Sequence, residues 1–437
     1  MPLELEYYDV SKIEFGEKTY LDGNLLIINH DELRAQLLED DHFEDVTLHL
    51  AHPGDSLRVI NVVDAVEPRC RLGGGNSDFP GFLSAPQTVG GGRTAVLRGT
   101  AVVEVSEPVP GESTYWREAF FDMTDSCSGF SPFSDLANLV IDIKPAKHIR
   151  DDNRPPLNVF EGTPEAVSLN RAIRSAGLKA SVYMASAAAE CTPDEVATFD
   201  LSPRSNPDLP GVVYLYQLAI PYLYGEIEPG GGAIGGSAHL PTMIHPNEIL
   251  DGALVCGWNA IACMRELTYV VQNHPIIHDL YERSGKDLEF LGVVLFANGD
   301  TRESKERLTG HATTLARLLN PDGALINYAG GGHPCVDTMM ICQKLENSGI
   351  PTTVLSMEMA PNPSDSGFVH FVREADSIIS TGNYEESFNF PQVDAVIGGA
   401  SLLNAESSPN GPFAYPLSGL LGSTNQFGFT NITARSQ

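Results

Sequence analysis

Between Leu288 and Glu358 the sequence alternates two kinds of pattern, and this alternation restricts the fold more than any other feature. LEFLGVVLFA is a strand-sized apolar run, and KERLTGHATTLARLL repeats apolar residues at helical spacing. GALINYAG, CVDTMMICQKLENSG and PTTVLSME then continue the series as strand, helix and strand. Strands that are apolar on both faces must be covered from both sides, and a helix between successive strands lays them parallel. The pattern predicts a doubly wound, mostly parallel sheet, with ADSIIST and DAVIGG as further strands.

The first 150 residues read differently. DVTLHLAHPGDSLRVINVVDAVEP alternates on both sides of the turn signal His52-Pro53-Gly54-Asp55, and TAVLRGTAVVEVSE (94–107) repeats the pattern. DELRAQLLED (31–40) is a short helix with Asp31 as its expected N-cap. Residues 151–165 are polar and proline-rich, and a helix then follows with Thr163 as cap, Pro164 at the first position and Gly177 as a stop. The expected fold class is α/β: a β-rich N-terminal domain (1–150), a helical connection (151–210) and an α/β domain (211–437) carrying the candidate site. A chain of 437 residues suits two or three such units.

Composition excludes several partners. There are 57 acidic residues against 27 basic ones, a net charge of −30 that repels phosphate backbones and anionic lipid. Neither nucleic acid nor membrane is an expected partner. No apolar run approaches the ~18 residues of a membrane span. MPLELEYYDVSKIEF lacks a signal-peptide pattern, and seven scattered cysteines do not form a disulfide framework. A reducing cytoplasm is the expected location.

Three stretches could carry chemistry. In GGAIGGSAHLPTMIHPNEILDG, Gly232 and Gly235 belong to a glycine-rich loop (229–236) that lets backbone approach a small ligand. His245 and Glu248 lie three apart, the spacing of one helical face, and would serve as proton donor or anchor and its partner, with Asp251 beside them. His239, His245 and Glu248 make an alternative metal set, with His333 as an extra ligand, although the spacing is not that of a zinc motif. The plainer reading is that Pro246 opens a helix, Glu248 caps it and His245 donates to a carbonyl. In DGALVCGWNAIACM (251–264), Cys256 and Cys263 are too far apart for a CxxC pair and would be two turns apart on one helix, so they read as small buried side chains, with Cys256 near a bend. In NYAGGGHPCVDTMMICQKL, three glycines precede a helix whose first turn holds Cys335. The helix dipole would lower that thiol's pKa, making it a reactive-thiol candidate beside His333; equally, Cys335 fills space at a helix start. His274 and His278 read as surface histidines, and Trp116 and Arg117 precede a polar loop that could bind an anion.

Longer segments resemble a known family. EFGEKTYLDGNLLIIN, HLAHPGDSLRVINVVDAVEPR, FDMTDSCSGFSPFSD, LPTMIHPNEILDGALV, NHPIIHDLYERSGKD and GSTNQFGF are similar to the precursor of the component B α and β subunits of glycine, sarcosine and betaine reductases. The resemblance implies a second, selenocysteine- or cysteine-containing reductase subunit as partner, and reductive C–N cleavage of a small amino acid or N-methylated relative. It also implies self-cleavage at an Asn-Cys bond, whose new N-terminal cysteine becomes a pyruvoyl group. Aligned by its flanks, this sequence has Trp258 at the asparagine and Asn259 at the cysteine, so no pyruvoyl cofactor is expected. Cys256, Asn259, Asp251, His333, Gly232 and Gly235 are then the expected substrate-binding residues, and His245, Glu248 and Cys335 the expected catalytic ones. A non-catalytic scaffold subunit and a metal-assisted enzyme are the competing readings.

Overall fold

The computed structural model describes residues 2–73, 78–112, 118–152, 154–155, 162–201, 206–218, 222–225, 240–257, 261–359, 368–402, 408–429 and 433–434. The alternating stretch forms a seven-stranded sheet. Its five parallel strands are Gly211–Gln217, Glu289–Phe296, Gly323–Asn327, Thr352–Glu358 and Ser377–Asn383. Numbered in chain order, they lie 2-1-3-4-5 across the sheet. Antiparallel strands Thr242–Ile244 and Thr433–Ala434 close the two edges.

Both faces of the sheet are buried, which is why its strands are continuously apolar. Val213, Leu215, Val294, Phe296 and Ile326 pack on one face against the helices Arg302–Leu318 and His333–Glu346. Their sequence neighbours Tyr214, Tyr216, Val293 and Leu295 point the other way, onto Thr268–Gln272 and Pro275–Arg283. Among the described residues no helix is long and apolar enough to cross a membrane.

The N-terminal β runs appear as expected in two four-stranded sheets. One is ordered Glu195–Phe199, Leu3–Asp9, Gly92–Arg98, Arg69–Leu72; the other Phe43–Ala51, Ala137–Pro145, Thr100–Val105, Val62–Val66. A single apolar cluster joins Leu3, Val59 and Phe121 to Tyr214, Leu355 and Phe427. Leu57–Val59 also pairs with Ala395–Ile397. Arg58 fixes that crossing, with Nε and Nη2 on the two carboxylate oxygens of Asp122 at 2.6 and 2.8 Å and further bonds to the carbonyls of Pro391, Pro409 and Gly411.

Four local expectations are corrected. The first helix is His30–Leu37 and its cap is Asn29, whose side chain accepts from Glu32 N; Asp31 lies inside the first turn. Thr163 caps the long helix as expected, but the helix runs from Pro164 through Gly177 to Ser186. Gly177 is there for close approach: a Cβ would overlap Glu104 Oε1 and stand 2.5 Å from its Cδ. Cys256 and Cys263 do not share a helix, since Leu254–Val255 is a strand and Ala262–Met264 a short 3₁₀ turn. His274 is fully buried, not superficial.

Candidate functional site

In a 2-1-3-4-5 sheet the crevice opens at the carboxyl ends of strands one and three, where successive connections leave in opposite directions. The glycine turn 330–332 falls at that point. Gly332, at φ +77°, reverses the chain so that His333 can begin the helix. Gln217, the last residue of strand one, ties the crevice together. Its Nε2 donates to Asn298 Oδ1 (2.9 Å) and the Pro334 carbonyl (3.0 Å), while its Oε1 accepts from Ala329 N (2.8 Å) and Thr338 (3.0 Å). His333 is exposed at the helix start. Cys335 is not: it packs beneath the sheet, its Sγ donates to the His370 carbonyl at 3.4 Å, and burial pushes its thiol pKa up. The expected lowering by the helix dipole is therefore overturned by desolvation.

His245, Glu248 and Asp251 all sit around the short helix Pro246–Leu250, where they hold backbone. His245 is the N-cap, its Nδ1 accepting from Asn247 N at 3.2 Å rather than donating to a carbonyl. Glu248 accepts the His245 N–H at 2.8 Å and the hydroxyl of Tyr224, completing a capping box. Burial lowers the His245 pKa. Asp251 is held by the Arg71 guanidinium, by Gly90 N at 2.8 Å and by Thr94 Oγ1 at 2.8 Å. Gly232, Gly235, His239 and Asn259 lie outside the described residues, as do Trp116 and Arg117. The structure thus brings His245, Glu248 and Asp251 together, and places Cys335 and His333 in a separate group at the crevice.

The segments on either side of residue 259 are held by several buried side chains. Leu254–Val255 pairs with Tyr222–Leu223. The next backbone N–H, of Cys256, donates to Thr268 Oγ1 at 3.0 Å, and that hydroxyl donates to Asp64 Oδ2 at 2.6 Å. Asp64 also accepts from Thr268 N (2.9 Å) and Ala65 N (2.8 Å). Arg174, wholly buried in the long helix, donates Nε to the Cys256 carbonyl and brings Nη2 to 3.8 Å from its Sγ. Burial first, and then Asp64, push the Cys256 thiol up to about 12. On the far side, Cys263 packs on Met357 at the end of strand four.

Behind the clamp lies a buried acid pair. Glu104 is directly opposite Asp64 across the Thr100–Val105/Val62–Val66 strand pair, and among the described residues no donor reaches either of its oxygens. Burial, reinforced by Asp64, raises Glu104 well above the usual carboxyl range. Two apposed, fully buried carboxyls do not both ionise; Asp64, with three donors, takes the charge and Glu104 keeps a proton. On the other side of the segment, burial and then the Glu266 carboxylate raise the Tyr216 hydroxyl pKa. Sequence reasoning missed Asp64, Glu104, Arg174, Thr268 and Glu266. A signal was present for three of them: Asp64, Glu104 and Arg174 each interrupt an otherwise apolar or alanine-rich run, where an unpaired charge would be costly.

Fold and site together define an α/β protein with a doubly wound sheet and a clamped segment at its carboxyl edge. Residues 1–435 match the family model for glycine/sarcosine/betaine reductase component B subunits. The chain is 31% identical over 451 residues to the glycine reductase complex component B subunits alpha and beta of Acetoanaerobium sticklandii, covering 100% of each. It is likewise 31% identical over 448 residues to the sarcosine reductase complex component B subunit alpha of Peptoclostridium acidaminophilum, again covering 100% of each. Against the betaine reductase complex component B subunit alpha of that organism it is 31% identical over 421 residues, 94% of this chain and 91% of the relative. No solved structure matches the chain. The chain belongs to the family of glycine/sarcosine/betaine reductase component B subunits.

Proposed function

We propose that this chain is a non-pyruvoyl member of the family, working in the cytoplasm within a hetero-oligomeric reductase-like complex. Its partner is a second component B-type subunit. Its substrate is a small amine or amino-acid-like molecule, and the chemistry is C–N bond cleavage or a related reduction. The names of its relatives support the complex, since each is a subunit of a glycine, sarcosine or betaine reductase complex.

The single observation that carries the non-pyruvoyl reading is Asn259, which offers neither thiol nor hydroxyl at the position where the resemblance places the group's precursor. The neighbouring thiols do not fit as replacements. Cys256 is buried, held at its N–H and its carbonyl, and kept protonated; Cys263 is buried against Met357. A primary amine would therefore be handled here by binding and positioning rather than by Schiff-base formation. Intact mass spectrometry should find one chain of 47.1 kDa that does not react with a hydrazide probe. Two fragments divided before residue 259, the second blocked by a keto group, would overturn the reading.

The scaffold reading draws on a specific observation as well: His245, Glu248 and Asp251 are engaged in backbone and ion-pair contacts. If His245→Ala and Cys335→Ala leave turnover of the reconstituted complex unchanged while assembly is intact, the partner performs the chemistry. For the metal-assisted reading, Glu248 and one ring nitrogen of His245 are already occupied by the cap, and elemental analysis of the purified chain decides it.

A further inference from the structure

The helix His333–Glu346 carries a buried carboxylate that is only half satisfied. Asp337 is 0% exposed, yet among the described residues no donor reaches its Oδ1. Its other oxygen, Oδ2, accepts from Gly299 N at 3.0 Å and from Lys305 Nζ at 2.9 Å. Gly299 lets the loop after strand two come this close, since a Cβ there would stand 2.6 Å from Lys305 N. A native interior rarely leaves such an oxygen dry, because a desolvated charge without donors is costly.

The group placed to supply the missing donor is the ring of His333. The two residues are four apart on one helix, so their side chains are neighbours on its surface. One ammonium also ties them together: Lys305 Nζ donates to the His333 carbonyl at 3.1 Å as well as to Asp337. Burial raises the Asp337 pKa; Lys305, the Gly299 N–H and the charge of His333 oppose that rise, which puts the imidazole within electrostatic reach of the carboxyl. His333 is exposed, so its ring can turn onto Oδ1 without disturbing the core.

Such a bond has a chemical consequence. A neutral imidazole that donates one N–H to a carboxylate keeps its other nitrogen bare, and that nitrogen is a proton acceptor. Residue 333 begins its helix at the glycine turn of the crevice, where a bound molecule can reach it. Taking a proton there turns the ring into an imidazolium. A helix start disfavours a cation, and the Asp337 carboxylate offsets that penalty where it arises. The step moves one proton from the bound molecule to the ring and needs no oxidant or reductant.

We infer that His333 and Asp337 form a proton-accepting pair at the crevice, in which His333 takes the proton and Asp337, held by Lys305, positions the ring. That the proton comes from a substrate rests on the proposed function; the pairing itself rests on the helix and on the unpartnered oxygen. Nitrogen NMR of the ¹⁵N-histidine-labelled full chain, without any partner subunit, tests the pairing, with His333 assigned through His333→Gln. In its neutral form the His333 ring should show one protonated and one bare nitrogen. The averaged signals of a freely turning imidazole would overturn the pairing and leave ordered water on Oδ1. This spectrum is read on the wild-type chain, so it decides the point even where a variant at Asp337 does not fold. In the reconstituted complex, His333→Gln should lower kcat by about 100-fold or more with KM held within about twofold, and Asp337→Asn should likewise act on kcat and spare KM. Turnover untouched by His333→Gln would sink the proton-accepting role. A fixed tautomer in a chain that forms no active complex would support the pairing and count against the functional reading, so the two failures are told apart.

Discussion

Replacing Gly177 by alanine should destabilise this protein, although in an ordinary helix interior the same change stabilises by about 1 kcal/mol. The helix Pro164–Ser186 passes so close to strand Thr100–Val105 that an added Cβ would stand 2.5 Å from Glu104 Cδ and 2.8 Å from its Cγ. Glu104 is fully buried and has nowhere to swing. Forcing a methyl group into a filled core costs about 1–3 kcal/mol, so the net effect is a loss of up to about 2 kcal/mol. In a Glu104→Ala background the obstruction is gone, and Gly177→Ala should recover its stabilisation of about 1 kcal/mol. Urea unfolding followed by far-ultraviolet circular dichroism on the four members of the cycle reads the coupling directly. A Gly177→Ala chain stabilised equally in both backgrounds would refute the close approach, and with it the account of why this helix carries a glycine at its middle.

Further expectations follow from the buried groups. Because the folded-state pKa of Glu104 lies above its unfolded value, stability should fall as pH rises from about 4 toward that raised pKa, by up to about 1.4 kcal/mol per pH unit. Glu104→Gln should flatten that decline in pH-dependent denaturation, and an unchanged slope would exclude a proton held there. For His274 the sign is opposite: burial, then His278, lower its pKa to about 3, so its contribution is complete above about 6.5 and lost as pH falls through that window. His274→Phe should remove about one proton's worth of the acid-side slope, measured in the same titration. Native alkylation at neutral pH, read by peptide mass spectrometry, should label exposed Cys191 and spare Cys256 and Cys335; rapid labelling of Cys335 would restore the reactive-thiol reading.

Much of the fold is visible in the residues, and the reason is periodicity. The series from Leu288 to Glu358 repeats strand and helix spacing so regularly that the order of elements and the burial of both sheet faces follow from it. Gly177 misled because a glycine that ends a helix and one that admits a neighbouring strand are the same letter; only Glu104, 73 positions upstream, distinguishes them. His274 misled similarly, since Pro275 correctly marks the helix start but says nothing about which way the preceding ring points. The candidate site was least legible. His245 and Glu248 have a spacing that suits catalysis and a capping box equally well. Arg174 reaches Cys256 across 82 residues, and Thr268, which holds the Cys256 N–H, is itself held by Asp64 across 204, so these residues meet only through tertiary pairing. Cys335 shows the limit of local electrostatics: the helix start was read correctly, but packing beneath the sheet decides the thiol's state.

The 2-1-3-4-5 order also determines what would become of the molecule if its backbone were ever severed between Cys256 and Ile261. Strand one would belong to the upstream piece, yet it is hydrogen-bonded on both sides to strands two and three of the downstream piece. Leu57–Val59, near the start of the upstream piece, would still grip Ala395–Ile397 from the other. The halves would be interlocked like the fingers of clasped hands, parting only in denaturant, so a native gel or a gel-filtration column would register such a nicked protein as whole.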